Sequence, residues 1–208
     1  TIVLDLGCNM NITEEILLTR VERFVEDRLK NRLSNKMYFH NLEHTLLVVE
    51  GVQLIGRAVG LNNDECLLLI LAAFLHDVGY TEKYVGHEEE SANIAAEFLT
   101  ENGLEPEKIE VVKECIKATK FPQQPENKLQ MVICDADFYH FALQDYQDYA
   151  DRLKAEWETN LNLFYTNLEW DTLNFNMLSA HEYFTSYGKE VLQEKKKFNL
   201  ERLKNRIS

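Results

Sequence analysis

Chain breakers are scarce in this sequence. Of 208 residues only 3 are proline and 8 glycine, which argues against many short strands joined by tight turns and favours helices. Cysteine is equally thin. Cys8, Cys66, Cys115 and Cys134 are scattered, with no Cys-x-x-Cys pair, and three of them fall in apolar helical stretches. Disulfides and a thiolate zinc site are therefore not expected; small buried thiols in a reducing compartment are. Positive charge is in deficit. The 22 Lys and Arg against 35 Asp and Glu leave a net charge of -13. Nonspecific nucleic-acid binding needs a basic surface, so no nucleic-acid partner is expected. The apolar run from Cys66 to Leu75 is too short for a bilayer and has acidic residues on both sides, so no membrane partner is expected either. The opening Thr1 to Leu6 has no basic segment, which speaks against a signal peptide. Cytoplasmic location is the resulting expectation.

What is present is the profile of a soluble globular protein, 45% hydrophobic and 27% charged. The length suits one domain with a substantial core and an appended helical segment. There is no internal repeat, low-complexity tract or linker. The expectation is one all-α domain over 1–208, a helical bundle with additional C-terminal helices. Its motif core covers about 39–140, and a C-terminal helical extension covers about 150–208.

The periodicity predicts a first helix over about 13–33 with Thr13 as N-cap, its apolar set Ile16, Leu17, Val21, Phe24, Val25 and Leu29 at helical spacing. A second starts near Asn41 and ends around Gly56 and Gly60. Asn62 or Asn63 caps a third, which delivers His76 and Asp77. Further helices are expected over about 88–101, with Asn102-Gly103 as C-cap, and over about 106–119. Pro122 and Pro125 mark a rigid connection. A long helix then begins near Asn127 and carries Asp135, Asp137, Tyr139 and His140, with two or three more behind it. The β candidates are Ile2–Leu6 and the region of Phe39.

The chemistry centres on His76-Asp77. The helix that carries them is apolar on every face, so it is buried all round. An imidazole and a carboxylate at a buried helix end need compensation, and a divalent cation provides it. His40 and His44 lie four apart, one helical turn. If Asn41 caps that helix, His40 sits just outside it and His44 one turn in. Asp135 and Asp137 are two apart, so on a helix they face nearly opposite ways. One of them is a candidate ligand, and the other could orient a histidine or sit exposed. In the loop after His76-Asp77, His87 is a candidate ligand for a second ion, a base or a phosphate contact. Glu82, Lys83 and Glu88 are candidate acid, base or phosphate-binding groups. His181, with Tyr183, Tyr187 and Lys195 to Lys197, is a candidate to reach the site. The plainer reading of each loop or tail residue is a solvated charge, and of the tail a basic helix face packed by its aromatics.

The order His44, then His76-Asp77, then an aspartate on a late helix resembles the HD superfamily of metal-dependent phosphohydrolases, over about half the chain. The segment Phe39-His40-Asn41-Leu42-Glu43-His44 is also similar to the Tyr-His-Asn-x-x-His signature of cyclic nucleotide phosphodiesterases. The resemblance implies an all-helical fold with ligands drawn from several helices. It implies His44, His76, Asp77 and Asp137 as metal ligands, with Asp137 preferred because Ala136-Asp137-Phe138-Tyr139 fits the family pattern, and Asp135 as the alternate. It makes His40 the general acid, with Glu88 as a second catalytic candidate and Lys83, His87 and His181 as substrate-binding candidates.

There are departures. Tyr80 stands where phosphodiesterases carry a further histidine. His87 with Ser91-Ala92 fits the two-metal members, but 117–120 lacks their His-His pair. One divalent ion per chain is expected, one of Mn, Fe, Mg, Ni or Zn. The expected activity is hydrolysis of a nucleotide or related small-molecule phosphoester by metal-activated water. The alternatives are a di-iron oxygenase on the same fold, similar to inositol oxygenase, and a non-catalytic nucleotide-binding helical module. The sequence leaves a homo-oligomer open.

Overall fold

Residues 11–208 are described by the structure, a computed structural model. The β candidate Ile2–Leu6 and Cys8 lie outside the described residues. Among the described residues there are nine α-helices and no strand. They are α1 (Ile12–Arg32), α2 (Leu42–Ala58), α3 (Asn63–Leu75), α4 (His87–Glu101), α5 (Pro106–Ala118), α6 (Lys128–Asp137), α7 (Tyr146–Asn160), α8 (Asn167–Ala180) and α9 (Gln193–Ile207). Single 3-10 turns follow α3 and α6, and a π-helical turn, Gly188–Leu192, leads into α9.

Helix α3 is the centre. Its start is fixed by a capping box: the Asn62 side chain accepts from Glu65 N at 3.0 Å, and Glu65 accepts from Asn62 N at 2.9 Å. Every residue from Cys66 to Leu75 is buried, and α1, α2, α4, α5 and α6 all pack on it. Burying one leucine or isoleucine contributes about 1.5–3 kcal/mol, so five leucines and one isoleucine in this run make α3 the element the others assemble around. The buried strip ends at His76, which forms the C-cap.

Helices α2 and α6 approach closely. A Cβ placed on Gly51 would lie 3.1 Å from Ala136 Cβ and 3.2 Å from its Cα. Gly51 is two turns after His44, and Ala136 immediately precedes Asp137. The contact therefore sets how near those two side chains come.

Three local expectations are corrected. Helix α1 starts two residues earlier than the Thr13 cap: Asn11 is the N-cap and forms a capping box with Glu14. Phe39 lies in a turn before α2 and not in a strand; its N–H is taken by a side chain from α7. The long helix after Asn127 ends at Asp137, and Tyr139 and His140 sit on the following 3-10 turn, Tyr139–Ala142. That turn is held from outside by α9, where Asn199 Nδ2 donates to Phe141 O at 2.9 Å and Leu143 O at 2.7 Å.

Candidate metal centre and its cavity

His44 Nε2, His76 Nε2 and Asp77 Oδ2 form one ligand-type cluster where the end of α3 meets the start of α2, and Asp137 Oδ1, at the end of α6, lies against the two imidazoles. His76 Nε2 lies 3.1 Å from Asp77 Oδ2 and 3.4 Å from His44 Nε2. His44 Nε2 lies 3.5 Å from Asp77 Oδ2 and 3.2 Å from Asp137 Oδ1. Asp137 Oδ1 is 3.8 Å from His76 Nε2. Donor atoms about 2.0–2.2 Å from one shared cation have mutual spacings of this order.

The local structure explains the aim of each group. Asn41 caps α2, accepting from Glu43 N at 2.9 Å, and so places His44 in the first turn facing α3. His76 Nδ1 donates to Ala73 O at 2.8 Å, which leaves Nε2 with its lone pair toward the cluster. Asp77 Oδ2 is buried with no hydrogen-bond partner, as is His44 Nδ1. An unpaired buried carboxylate oxygen beside two imidazoles is the arrangement a cation satisfies. The electrostatics agree. Burial works against charge on His76, yet the carboxylates of Asp77 and Asp137 prevail and raise its pKa to about 9. Burial likewise opposes the Asp77 carboxylate, but the His76 imidazole holds it well below the usual range. Two nitrogens and two oxygens suit several first-row cations.

Asp135, the alternate ligand, is elsewhere. Two residues back on α6, it faces the segment before the π turn and accepts from Phe184 N at 2.7 Å, Thr185 N at 2.9 Å and Thr185 Oγ1 at 2.6 Å. The opposite facing of residues two apart on a helix separates it from Asp137.

His40 stands beside the cluster, its ring centroid 5.8 Å from that of His44. Its partner was not found in the sequence. Glu156 of α7, fully buried, accepts from His40 Nδ1 and from the backbone N–H groups of Phe39 at 2.8 Å and His40 at 3.0 Å. Tyr84 Oη donates to the same carboxylate at 2.9 Å. Burial opposes the Glu156 charge, but the His40 hydrogen bond holds its pKa low. A carboxylate inside the mid-helix string Leu153 to Trp157 was the available signal.

The loop residues divide. His87 opens α4 and stacks on Tyr80, which stacks on His40. His87 Nδ1 donates to Tyr84 O at 3.1 Å, and Nε2 faces the other Asp77 oxygen, Oδ1, at 3.5 Å. Gly86, with φ of 79°, turns the chain into α4. Gly79 lets α4 approach, because a Cβ there would meet His87 O and Ser91 N. Glu88 lines the cavity next to His87. Lys83 does not line it and pairs with Glu90 at 3.1 Å. His181 does not line it either. Its ring packs on Phe138, Phe141 and Tyr183, and Lys196 donates to its carbonyl. Lys196 is thus buried, unlike the solvated basic face expected there, while Lys195 and Lys197 are exposed. His140, which no role was assigned in the sequence, lines the cavity with its pKa down to about 3 through burial.

The cavity that begins at His40, Asp77 and Asp137 has a volume of about 490 Å³ and extends between α7 and α8.

Residues 41–142 match the family described as HD domain. The chain carries an HD domain. It holds His44, His76, Asp77 and Asp137. His40 lies one residue before the matched stretch, and Glu156 lies beyond it on α7. A crystal structure described as a predicted HD superfamily hydrolase, from an uncultured Thermotogales bacterium, is similar in fold. Its TM-score is 0.63 at 18% identity, covering 95% of this chain and 98% of that one. No curated protein matches the chain. Among the described residues no helix is long and apolar enough to cross a membrane.

Proposed function

We propose that the protein is a metal-dependent phosphohydrolase acting on a small-molecule phosphoester. The observation that carries this is His40, held through Nδ1 by a buried glutamate, beside the His44, His76 and Asp77 cluster and Asp137 at the end of a cavity. His44, His76, Asp77 and Asp137 would hold one divalent cation. When bound, such an ion draws charge from a phosphoryl oxygen and acidifies water. The protein's own groups supply the rest. Glu156 takes the Nδ1 proton face of His40, which leaves Nε2 to hold a transferable proton for the leaving oxygen. His140, kept neutral, lends a ring edge to the wall without adding charge. The apolar lining excludes water from the leaving group.

The di-iron oxygenase alternative has less support, because Thr119 lines the cavity where a His-His pair would be needed. An acidic chain in a cytoplasmic setting, acting on a small molecule and not on nucleic acid, completes the reading. Elemental analysis joined to a phosphoester panel tests it. About one divalent ion per chain with metal-dependent phosphate release is the expected result. A folded, metal-replete protein that releases phosphate from nothing would overturn it.

A further inference from the structure

Beyond the metal cluster, the cavity wall has a pronounced chemical bias. Its carboxylates are Asp77, Glu88 and Asp137, its imidazoles are His40, His87 and His140, and among the described residues no lysine or arginine lines it. Residues 1–10 contain neither residue type. The basic groups near the rim are engaged elsewhere: Lys83 with Glu90, Lys117 with Glu89, Arg152 with Glu43. Lys120 lies between Thr119 and Phe121, both of which line the cavity, but is itself exposed and outside the lining. The wall away from the cluster is apolar and aromatic, with Phe141, Tyr149, Leu153, Trp157, Trp170 and Leu173 among its members. Two of its polar side chains bond to each other or to the backbone, while Trp170 Nε1 is buried without a partner. Tyr146 Oη donates to Asn174 Oδ1, and Asn174 Nδ2 donates to Trp170 O at 2.7 Å.

A di- or triphosphate tail in this cavity would leave all but one phosphate facing carboxylates and aromatic rings with no lysine or arginine to pair with, an unfavourable field. An apolar or aromatic group there would instead bury its surface against matching walls. We propose that the substrate is a phosphomonoester of a bulky, uncharged, aromatic or apolar alcohol, carrying a single phosphate. The chemistry rests on the hydrolase reading above; the ligand class rests on the wall alone. The reaction is a simple balance. Water oxygen bonds to phosphorus and the P–O bond to the alcohol breaks. The alcohol oxygen takes the proton of His40 Nε2, the water gives up a proton that restores it, and inorganic phosphate leaves.

The test compares 1-naphthyl phosphate, glycerol phosphate and ATP on the metal-loaded full chain. It measures phosphate release and, separately, quenching of the fluorescence of Trp157 and Trp170. The expected result is a kcat/KM for naphthyl phosphate at least about 100-fold above ATP, with quenching by naphthyl phosphate alone. Leu173→Arg, at an exposed wall position, should narrow that ratio by weakening the naphthyl ester and improving ATP. ATP turned over as well as naphthyl phosphate would overturn the inference and leave the hydrolase reading in place. No turnover, with naphthyl phosphate still quenching and ATP not, would overturn the hydrolase reading and keep the ligand class. Neither turnover nor quenching would remove both.

Discussion

His40 Nδ1 meets the carboxylate of Glu156, which lies 116 positions further along the chain and has no exposed surface. The same carboxylate accepts the N–H groups of Phe39 and His40, so one side chain of α7 fixes both the ring and the backbone of the turn that enters α2. Glu156→Gln keeps an oxygen for the backbone but loses the charge that orients the imidazole. A fall in kcat of about 10–100-fold, with KM and metal content little changed, is expected by analogy with other orienting carboxylates. Tyr84→Phe, which removes one donor to that carboxylate, should cost less. Steady-state kinetics with parallel metal analysis decides the matter.

Asp137 and Asp135 should separate cleanly in metal content. Asp137→Ala removes an oxygen 3.2 Å from His44 Nε2 and should strip the ion under dialysis. Asp135→Ala leaves Phe184 N, Thr185 N and Thr185 Oγ1 without their acceptor, at a cost of about 1–3 kcal/mol, while the metal stays. Denaturation midpoints and elemental analysis on both variants would show the two losses trading places if the facing of α6 were reversed.

At Gly79 there is no room for a methyl group. A Cβ would collide with His87 O and come within 2.7 Å of Ser91 N, while Gly79 N already donates to Ser91 Oγ at 2.8 Å. Gly79→Ala should therefore destabilise by about 1–3 kcal/mol through overcrowding. Urea unfolding measures it, and an unchanged midpoint would mean that α4 does not sit as close as described.

Stability should fall as the pH drops below neutrality, in part through His181. Burial, with Lys196 nearby, depresses its folded pKa to about 3, against roughly 6.5 in the unfolded chain. The unfolded state thus binds the proton first. The stabilising contribution is whole above about pH 6.5 and is lost progressively as the pH falls toward about 3. Glu182 beside it, and the buried Lys196, whose own pKa is lowered to about 8 by burial, are the charged groups near this ring. Between pH 7 and pH 5 the urea midpoint of the wild type should drop further than that of His181→Gln. Equal drops would remove His181 from the account.

Much of the helical framework was legible because its signals are local. Asn41, Asn62 and Asn102-Gly103 announce helix ends through their own side chains or backbone freedom, and the all-apolar run into His76 announces a buried helix end. His76 and Asp77 stood out through that same run, since buried polar groups need compensation; His44 joined them through its spacing from His40 and the resemblance to the HD superfamily. What escaped depends on distant partners. Nothing around Glu156 in the sequence says that it reaches the turn before α2. Helix α6 stops at Asp137 without a proline or glycine, and the turn beyond it is tied to Asn199 of α9, far along the chain, so the sequence pattern runs the helix on through His140, which does not join it. Asn11 was passed over for Thr13 because both are good caps, and only the reciprocal contact from Glu14 separates them.

The hydrogen side chain of Gly51 gives the centre an adjustable gauge. Since α2 and α6 touch there almost backbone to backbone, anything larger must drive the helices apart like a shim. The spread would open the gap between His44, two turns from Gly51, and Asp137, the residue after Ala136. On the proposed metal reading, Gly51 would therefore govern how tightly a cation is gripped, and affinity for it could drift or be tuned without altering a single coordinating atom.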